Sequence, residues 1–203
     1  MFDKFLKLIQ FYTKLNTEEI DFFKNHIPIR SFKKNEVFFD EGKISKTIYF
    51  ILNGCVRLFY NVNGNEKTAF FYTEGKFICA GESYTFNIPA KENYQALEDT
   101  VLMCLDKRAI EKMFTFSANL EIIARIAVED ELITCQQMIK SFVTKSPEER
   151  YNELLEKNSN LFQRAPQQYI ASFLGVSPET LSRIKKRVFE KRKKYVLDER
   201  QEF

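Results

Sequence analysis

The chain has 203 residues, 44% of them apolar and 29% charged, which is enough to build packed cores but too polar for a membrane protein. Its formal net charge of +3 is unevenly placed: positions 1–145 carry 19 basic and 19 acidic residues, and positions 146–203 carry 12 and 9. Cys55, Cys79, Cys104 and Cys135 stand too far apart for a metal-ligand set and are expected to be reduced thiols in a cytoplasmic protein. The amphipathic start MFDKFLKLIQ lacks the apolar run and cleavage site of a signal peptide.

The first 30 residues read as helical, with Leu6, Ile9, Leu15, Ile20 and Phe23 on the apolar face and a helix start near Thr17. From Ser31 the pattern changes to short runs rich in β-branched and aromatic residues. These are Glu36–Phe39, Thr47–Leu52, Val56–Tyr60 and Thr68–Tyr72, with further strand-like sequence over Asn93–Leu105. Turn signals at Gly42, Gly54, Asn63-Gly64 and Gly75 separate them, so a small jelly roll is predicted.

The helical period returns after Asp106. Asn119–Phe142 contains no Gly or Pro and is apolar on more than one face, including Leu120, Ile123, Leu132 and Ile139. Such a helix must bury both faces; a second copy of the same helix supplies the second surface, and a long core helix in a monomer is the alternative. Ser146-Pro147-Glu148-Glu149 opens another helix with the elements of a capping box. Tyr151, Leu154 and Leu155 then give it a packing face.

Residues 164–187, RAPQQYIASFLGVSPETLSRIKKR, carry the strongest functional pattern. Pro166 suits a helix start, Gly175 a tight turn, and Ser177-Pro178 the start of a second helix. Leu181, Ile184 and Val188 form the buried stripe of that helix, leaving Glu179, Ser182, Arg183 and Lys186 outward. A helix-turn-helix places such residues in the major groove of DNA. Eight cations from Arg183 to Lys194 stand against Glu190 alone and continue the helix as a candidate phosphate-binding run. No nucleophile–base pair, metal cluster or Gly-rich phosphate loop points to an enzyme, and His26, the single histidine, reads as a surface or capping residue.

The segment Val176-Ser177-Pro178-Glu179-Thr180-Leu181-Ser182-Arg183-Ile184 resembles the recognition-helix signature of the Crp/Fnr family of bacterial transcription regulators. Leu52-Asn53-Gly54-Cys55-Val56-Arg57-Leu58 and Gly75-Lys76-Phe77-Ile78 are weaker cues in the same direction. The resemblance implies an α+β chain: a cyclic-nucleotide-binding-like β-roll over residues 1–118, a dimerisation helix over 119–143 and a winged helix-turn-helix domain over 144–203. It further implies a homodimer on a palindromic double-stranded DNA site, with RNA polymerase as a further partner. Glu179 and Arg183 match the family's base-reading positions, and chemistry agrees: Arg183 can pair with guanine and Glu179 can accept from a cytosine amine. Ser182 and Lys186 are added to the interface, with Gln167, Gln168 and Thr180 as phosphate contacts, although Thr180 equally suits a capping role. Pro178 replaces a base-reading arginine of the Crp-like branch, which predicts a different DNA site.

A cyclic-AMP pocket of this family needs a Gly-Glu pair and an Arg-Ser pair. Gly81-Glu82 lies two residues late, and Lys91-Glu92 stands where Arg-Ser would fall. A lysine is a poor replacement for a bidentate guanidinium, so an effector other than cyclic AMP, or none, is expected. Neither an iron–sulfur cluster nor haem has its ligands, so no cofactor is expected. Phe71, Glu82, Ser83, Asn93, Tyr94 and Thr134 are the candidate effector contacts. The bland alternatives are core aromatics for Phe71 and Tyr94 and turn residues for Glu82 and Ser83. A ligand-free interaction module with non-specific DNA affinity is the competing reading of the whole chain.

Overall fold

The structure, a computed structural model, describes residues 2–199. It divides into two compact units, one ending at Thr134 and one starting at Cys135. The first unit opens with α1 (Phe2–Tyr12) and α2 (Thr17–His26). Eight strands follow: β1 (Ile29–Phe32), β2 (Val37–Phe39), β3 (Thr47–Asn53), β4 (Val56–Val62), β5 (Asn65–Tyr72), β6 (Phe77–Ile78), β7 (Asn93–Ala96) and β8 (Thr100–Asp106). The short helix α3 (Gly81–Phe86) separates β6 from β7, and α4 (Lys107–Phe116) follows β8. The strands form two antiparallel sheets, ordered β1-β8-β3-β6 and β2-β7-β4-β5, which is the expected jelly roll.

Strands β3 and β8 are apolar on both faces because both faces are covered. Ile51, Leu102 and Cys104 join Val56, Leu58, Tyr72 and Tyr94 between the sheets. Their neighbours Phe50, Leu52, Met103 and Leu105 point the other way and pack with Phe5, Ile9, Phe23, Ile110, Met113 and Ile123 from the helices. The β4–β5 connection is a two-residue hairpin in which Asn63 and Gly64 both have positive φ, 52° and 78°. That backbone suits the right-handed twist of the strands and explains the Asn-Gly sequence.

Several boundaries differ from the sequence expectation. The first helical region is broken at 13–16; α2 then starts at Thr17 as expected, capped by Asn16, which accepts from the Glu19 amide at 2.9 Å. The strands β1 and β6 and the helix α3 carry too few residues to show a period. The long helix, α5, covers Ala118–Thr144 and so spans the boundary between the two units; the Leu120 side chain, assigned to its apolar face above, lies outside the described residues. No described helix is long and apolar enough to cross a membrane.

Two buried charges organise the first unit. Arg57 on β4 is fully buried. Its Nε donates to Gln95 at 2.7 Å, its Nη1 to Thr68 at 3.4 Å and its Nη2 to Glu66, while the guanidinium lies 4.1 Å from the Phe59 ring centre. Glu19, 2% exposed, accepts from the Asn16 amide, from Ser117 Oγ and from Asn119 Nδ2. It thereby ties the start of α2 to the start of α5. Burial pushes the Glu19 carboxyl up, but the bonds from Ser117, Asn16 and Asn119 outweigh it and hold the pKa below its ordinary value.

A carboxylate with a lowered folded-state pKa contributes stability above its unfolded pKa and loses it as the pH falls through the folded value. Glu19→Gln is therefore expected to cost about 1.5–3 kcal/mol at neutral pH, the range for hydrogen bonds to a charged group. The gap to the native protein closes as the pH drops below the ordinary value of 4.5. Urea unfolding of both proteins across that range measures it; a gap independent of pH would contradict the assignment.

Candidate nucleic-acid interface

The second unit holds the C-terminal part of α5 and four further helices: α6 (Pro147–Lys157), α7 (Leu161–Arg164), α8 (Gln167–Phe173) and α9 (Pro178–Glu199). Ser146 and Glu149 form the capping box at the head of α6: Ser146 Oγ accepts from the Glu149 amide, and Glu149 accepts from the Ser146 amide at 2.8 Å. Tyr151, Leu154, Leu161, Ile170, Ala171, Leu174, Leu181, Ile184 and Val188 are buried and form the core. The last three are the predicted stripe of α9. The wing implied by the family resemblance does not appear among the described residues, because α9 runs 22 residues and no strand follows it.

The turn between α8 and α9 is closed by two local hydrogen bonds. Val176 N donates to Ala171 O at 2.9 Å and Gly175 N to Ser172 O at 3.0 Å. This is a Schellman motif, with Gly175 at φ 71° in the left-handed position. Arg150 on α6 holds the turn from below. Its Nη2 donates to Leu174 O at 2.9 Å, its Nη1 to Lys145 O at 2.7 Å, and its guanidinium lies 4.6 Å from the Phe142 ring centre. Ser177 Oγ accepts from the Thr180 amide at 3.2 Å and starts α9.

This turn sets what α9 presents. Glu179, Ser182, Arg183 and Lys186 are all exposed, as are Gln167 and Gln168 at the head of α8. Thr180 is half-buried, and its hydroxyl lies 3.2 Å from Ser177 Oγ, the capping arrangement considered above. Hydrogen bonds from Ser177 and from its own backbone, with attraction from Arg183, keep the Glu179 carboxyl below its ordinary range. It is therefore an acceptor at neutral pH, the state needed to receive an amine hydrogen bond.

The basic run is less uniform than its sequence suggests. Glu148 at the head of α6 pairs with Arg187 at 3.1 Å and Lys191 at 2.5 Å. Lys186 lies 4.0 Å from Glu190. The side chains of Arg192 and Lys194 lie outside the described residues.

The candidate effector contacts sit in the first unit. Ser83 is 1% exposed, accepts from the Ser45 amide at 2.8 Å and donates to Ile88 O at 2.6 Å. Asn93, also buried, accepts from the Glu41 amide at 3.0 Å, and Tyr94 donates to Cys79 O at 2.8 Å. Glu82 is exposed and paired with Lys91 at 3.1 Å, Phe71 is half-buried on β5, and Thr134 donates to Asp130 O within α5. The polar groups of Ser83, Asn93, Tyr94 and Thr134 thus take part in the unit's own hydrogen bonding.

One joint was not anticipated. Tyr72 donates to Glu131 at 2.9 Å and Lys76 pairs with Asp130 at 2.6 Å, fastening the end of the roll to α5. Burial raises the Glu131 carboxyl. His26 is exposed and stacks on Phe22, with ring centres 4.5 Å apart. All four cysteines are free, and burial pushes the thiols of Cys79 and Cys104 up to about 12 and about 11.

The family model of the cyclic nucleotide-binding domain matches residues 29–115. Solved structures align along most of the chain. FixK2 from Bradyrhizobium japonicum aligns with TM-score 0.69 and 19% identity over 81% of this chain and 85% of its own. The regulator CLP from Xanthomonas campestris gives 0.68 and 17% over 87% and 93%. A CRP/FNR-family transcriptional regulator from Thermus thermophilus gives 0.63 and 19% over 81% and 87%. The chain has the Crp/Fnr fold. No curated protein matches the sequence. Within the Crp/Fnr fold, α9 is the second helix of the helix-turn-helix.

A side chain at Gly175 would meet two obstacles: the left-handed backbone, and Phe142 Cε1 3.3 Å from an added Cβ. Gly175→Ala is expected to destabilise the protein by about 1–2 kcal/mol, the cost of a left-handed L-residue. Thermal unfolding measures this, and an unchanged midpoint would remove the strain argument.

Proposed function

We propose that the protein is a homodimeric, sequence-specific DNA-binding transcription regulator of the Crp/Fnr type, controlled by an effector other than cyclic AMP. The observation that carries this reading is the outward row of Glu179, Ser182, Arg183 and Lys186 on a helix whose entry is fixed by the Gly175 turn. A row of this kind at the N-terminal end of a recognition helix reads base edges in the major groove. Gln167 and Gln168, exposed at the head of α8, suit phosphate contacts that set the register.

Dimerisation through α5 is supported by its exposed apolar residues. Val128, Leu132, Ile139 and Phe142 are between 43% and 69% exposed. With Cys135 between them they follow the alternating four- and three-residue spacing of a coiled-coil seam. A second copy on this seam would give the two-fold symmetry that a palindromic site requires, with recognition helices about 34 Å apart. The effector would act by changing the population of the arrangement that matches this spacing.

Cyclic AMP is disfavoured because Lys91, the cation at the family's phosphate-binding position in the sequence, is exposed and already paired with Glu82. CLP is described as c-di-GMP responsive; a screen of cyclic dinucleotides alongside other metabolites is therefore the natural start for effector identification.

Selection of bound sequences from random DNA, followed by gel shifts, tests the reading. Arg183→Ala and Glu179→Ala should each remove about 1–3 kcal/mol of discrimination at one base position, the value of a good base-edge contact. Equal binding of random and selected DNA would favour the non-specific interaction module instead. Leu132→Glu with Ile139→Glu should turn a dimer into a monomer in sedimentation and weaken binding to the full palindrome far more than to a half-site. A dimer that survives both changes would exclude this seam.

A further inference from the structure

Arg187 and Lys191 belong to the run that the sequence offers to DNA phosphates, yet both are held by one carboxylate from another helix. Glu148 Oε2 lies 3.1 Å from Arg187 Nε, and Glu148 Oε1 lies 2.5 Å from Lys191 Nζ. The two cations are 58% and 70% exposed, whereas Glu148 is 22% exposed. The carboxylate thus sits under them and their outer sides face solvent. An open cleft of about 570 Å³ between the head of α6 and α9 is lined by Glu148, Thr180, Ile184, Arg187 and Lys191. The Lys191 hydrogen bond holds the Glu148 carboxyl below its ordinary range, so the competitor remains charged at neutral pH.

Position along α9 gives these cations their meaning. At about 1.5 Å per residue, Arg187 lies about 12 Å beyond Glu179 and Lys191 about 18 Å beyond it. The major groove is about 12 Å wide, so a helix reading bases at Glu179 and Arg183 brings the next two turns to the phosphate rim. A phosphate arriving there meets two cations that share one carboxylate, a net charge of +1 where the pair alone would present +2.

We propose that Glu148 competes with DNA phosphate for Arg187 and Lys191, and so lowers the protein's affinity for DNA of any sequence. This rests on the DNA-binding reading above and adds a restraint on it. The competition is winnable, because exposed ion pairs are weak and phosphates displace them at modest cost. Base contacts by Glu179 and Arg183 then make up a larger share of the binding that remains.

A double-mutant cycle on random duplex DNA between 50 and 200 mM salt tests the proposal, using the full-length protein, Glu148→Gln, Lys191→Gln and the double variant. Glu148→Gln should tighten binding about three- to tenfold and steepen the salt dependence by about one unit of slope, since one charge is freed and each phosphate neutralised contributes about 0.9. Lys191→Gln should weaken binding less than about twofold with Glu148 present and about three- to tenfold without it, as expected for coupled neighbours. Glu111→Gln, an equal change of charge on α4, controls for net charge and should leave affinity within about twofold. An additive cycle, or a Glu148→Gln effect no larger than that of Glu111→Gln, overturns the competition while leaving DNA binding in place. Failure of the unaltered protein to bind any duplex overturns both together. Thermal unfolding of each variant separates a folding defect from a binding effect.

Discussion

The carbonyl of Leu174 ends α8, and as a C-terminal helix carbonyl it lacks a partner within its own helix. Arg150 supplies one, and with its other amine binds the carbonyl of Lys145 beyond the end of α5. A single planar guanidinium thus fixes the exit of α8 and the entry of α6, with Phe142 against its face. Lysine could not do this, because the geometry needs two divergent donors on one rigid plane. Gly175 permits the turn, but Arg150 determines where it sits, and the outward set on α9 follows from that. The close approach of Phe142 to Gly175 extends the same restraint, since the ring occupies the space a β-carbon would need.

The first unit solves a different problem. Its central strands β3 and β8 are buried on both faces, so they carry continuous apolar runs rather than alternation. The apolar middles of these strands leave polar fixing to their ends, where Asp106 of β8 caps α4. Further polar fixings lie at the edges: Glu19 between α2 and α5, and Tyr72 with Lys76 on Glu131 and Asp130. The buried Arg57 plays the same part within the second sheet, binding side chains from β5 and β7. Glu19 and Arg57, the buried members, each make several hydrogen bonds, the condition under which burial of charge is tolerated.

What was legible in the sequence shares one property: its cause is local. The capping box at Ser146, the Asn63-Gly64 hairpin, the Gly175 turn and the stripe of Leu181, Ile184 and Val188 each need only a few neighbouring residues. The helix α5 was readable for the same reason, from a run without Gly or Pro, although Asp130, Gln136 and Gln137 interrupt its apolar stripe. The two-residue strand β6 was not, because it exists only through pairing with Tyr49 and Phe50. The burial of Arg57 was not legible either, since alternation gives a residue's face but not what covers it. The basic run showed where the positive charge is concentrated, but not that Glu148, far upstream, neutralises part of it. In each case the missing information was a partner brought from another element.

The three carboxylates on one side of α6 illustrate how this unit handles charge. Glu149 closes its own helix cap, and Glu153 binds Ser141, Lys145 and Lys157, with its pKa drawn down to about 2. Glu148 reaches across to α9. One acidic helix therefore gathers cations from the end of α5, from itself and from α9. Among the described residues no carboxylate of α6 pairs with Arg183, and its outward position is the one where chemistry favours reading guanine. An arginine at a base-reading position serves recognition only if it is available when the groove arrives. Cations along the rim bind every sequence alike. On the DNA-binding reading proposed above, holding two rim cations with one carboxylate while leaving Arg183 exposed would move the balance from backbone attraction toward base recognition.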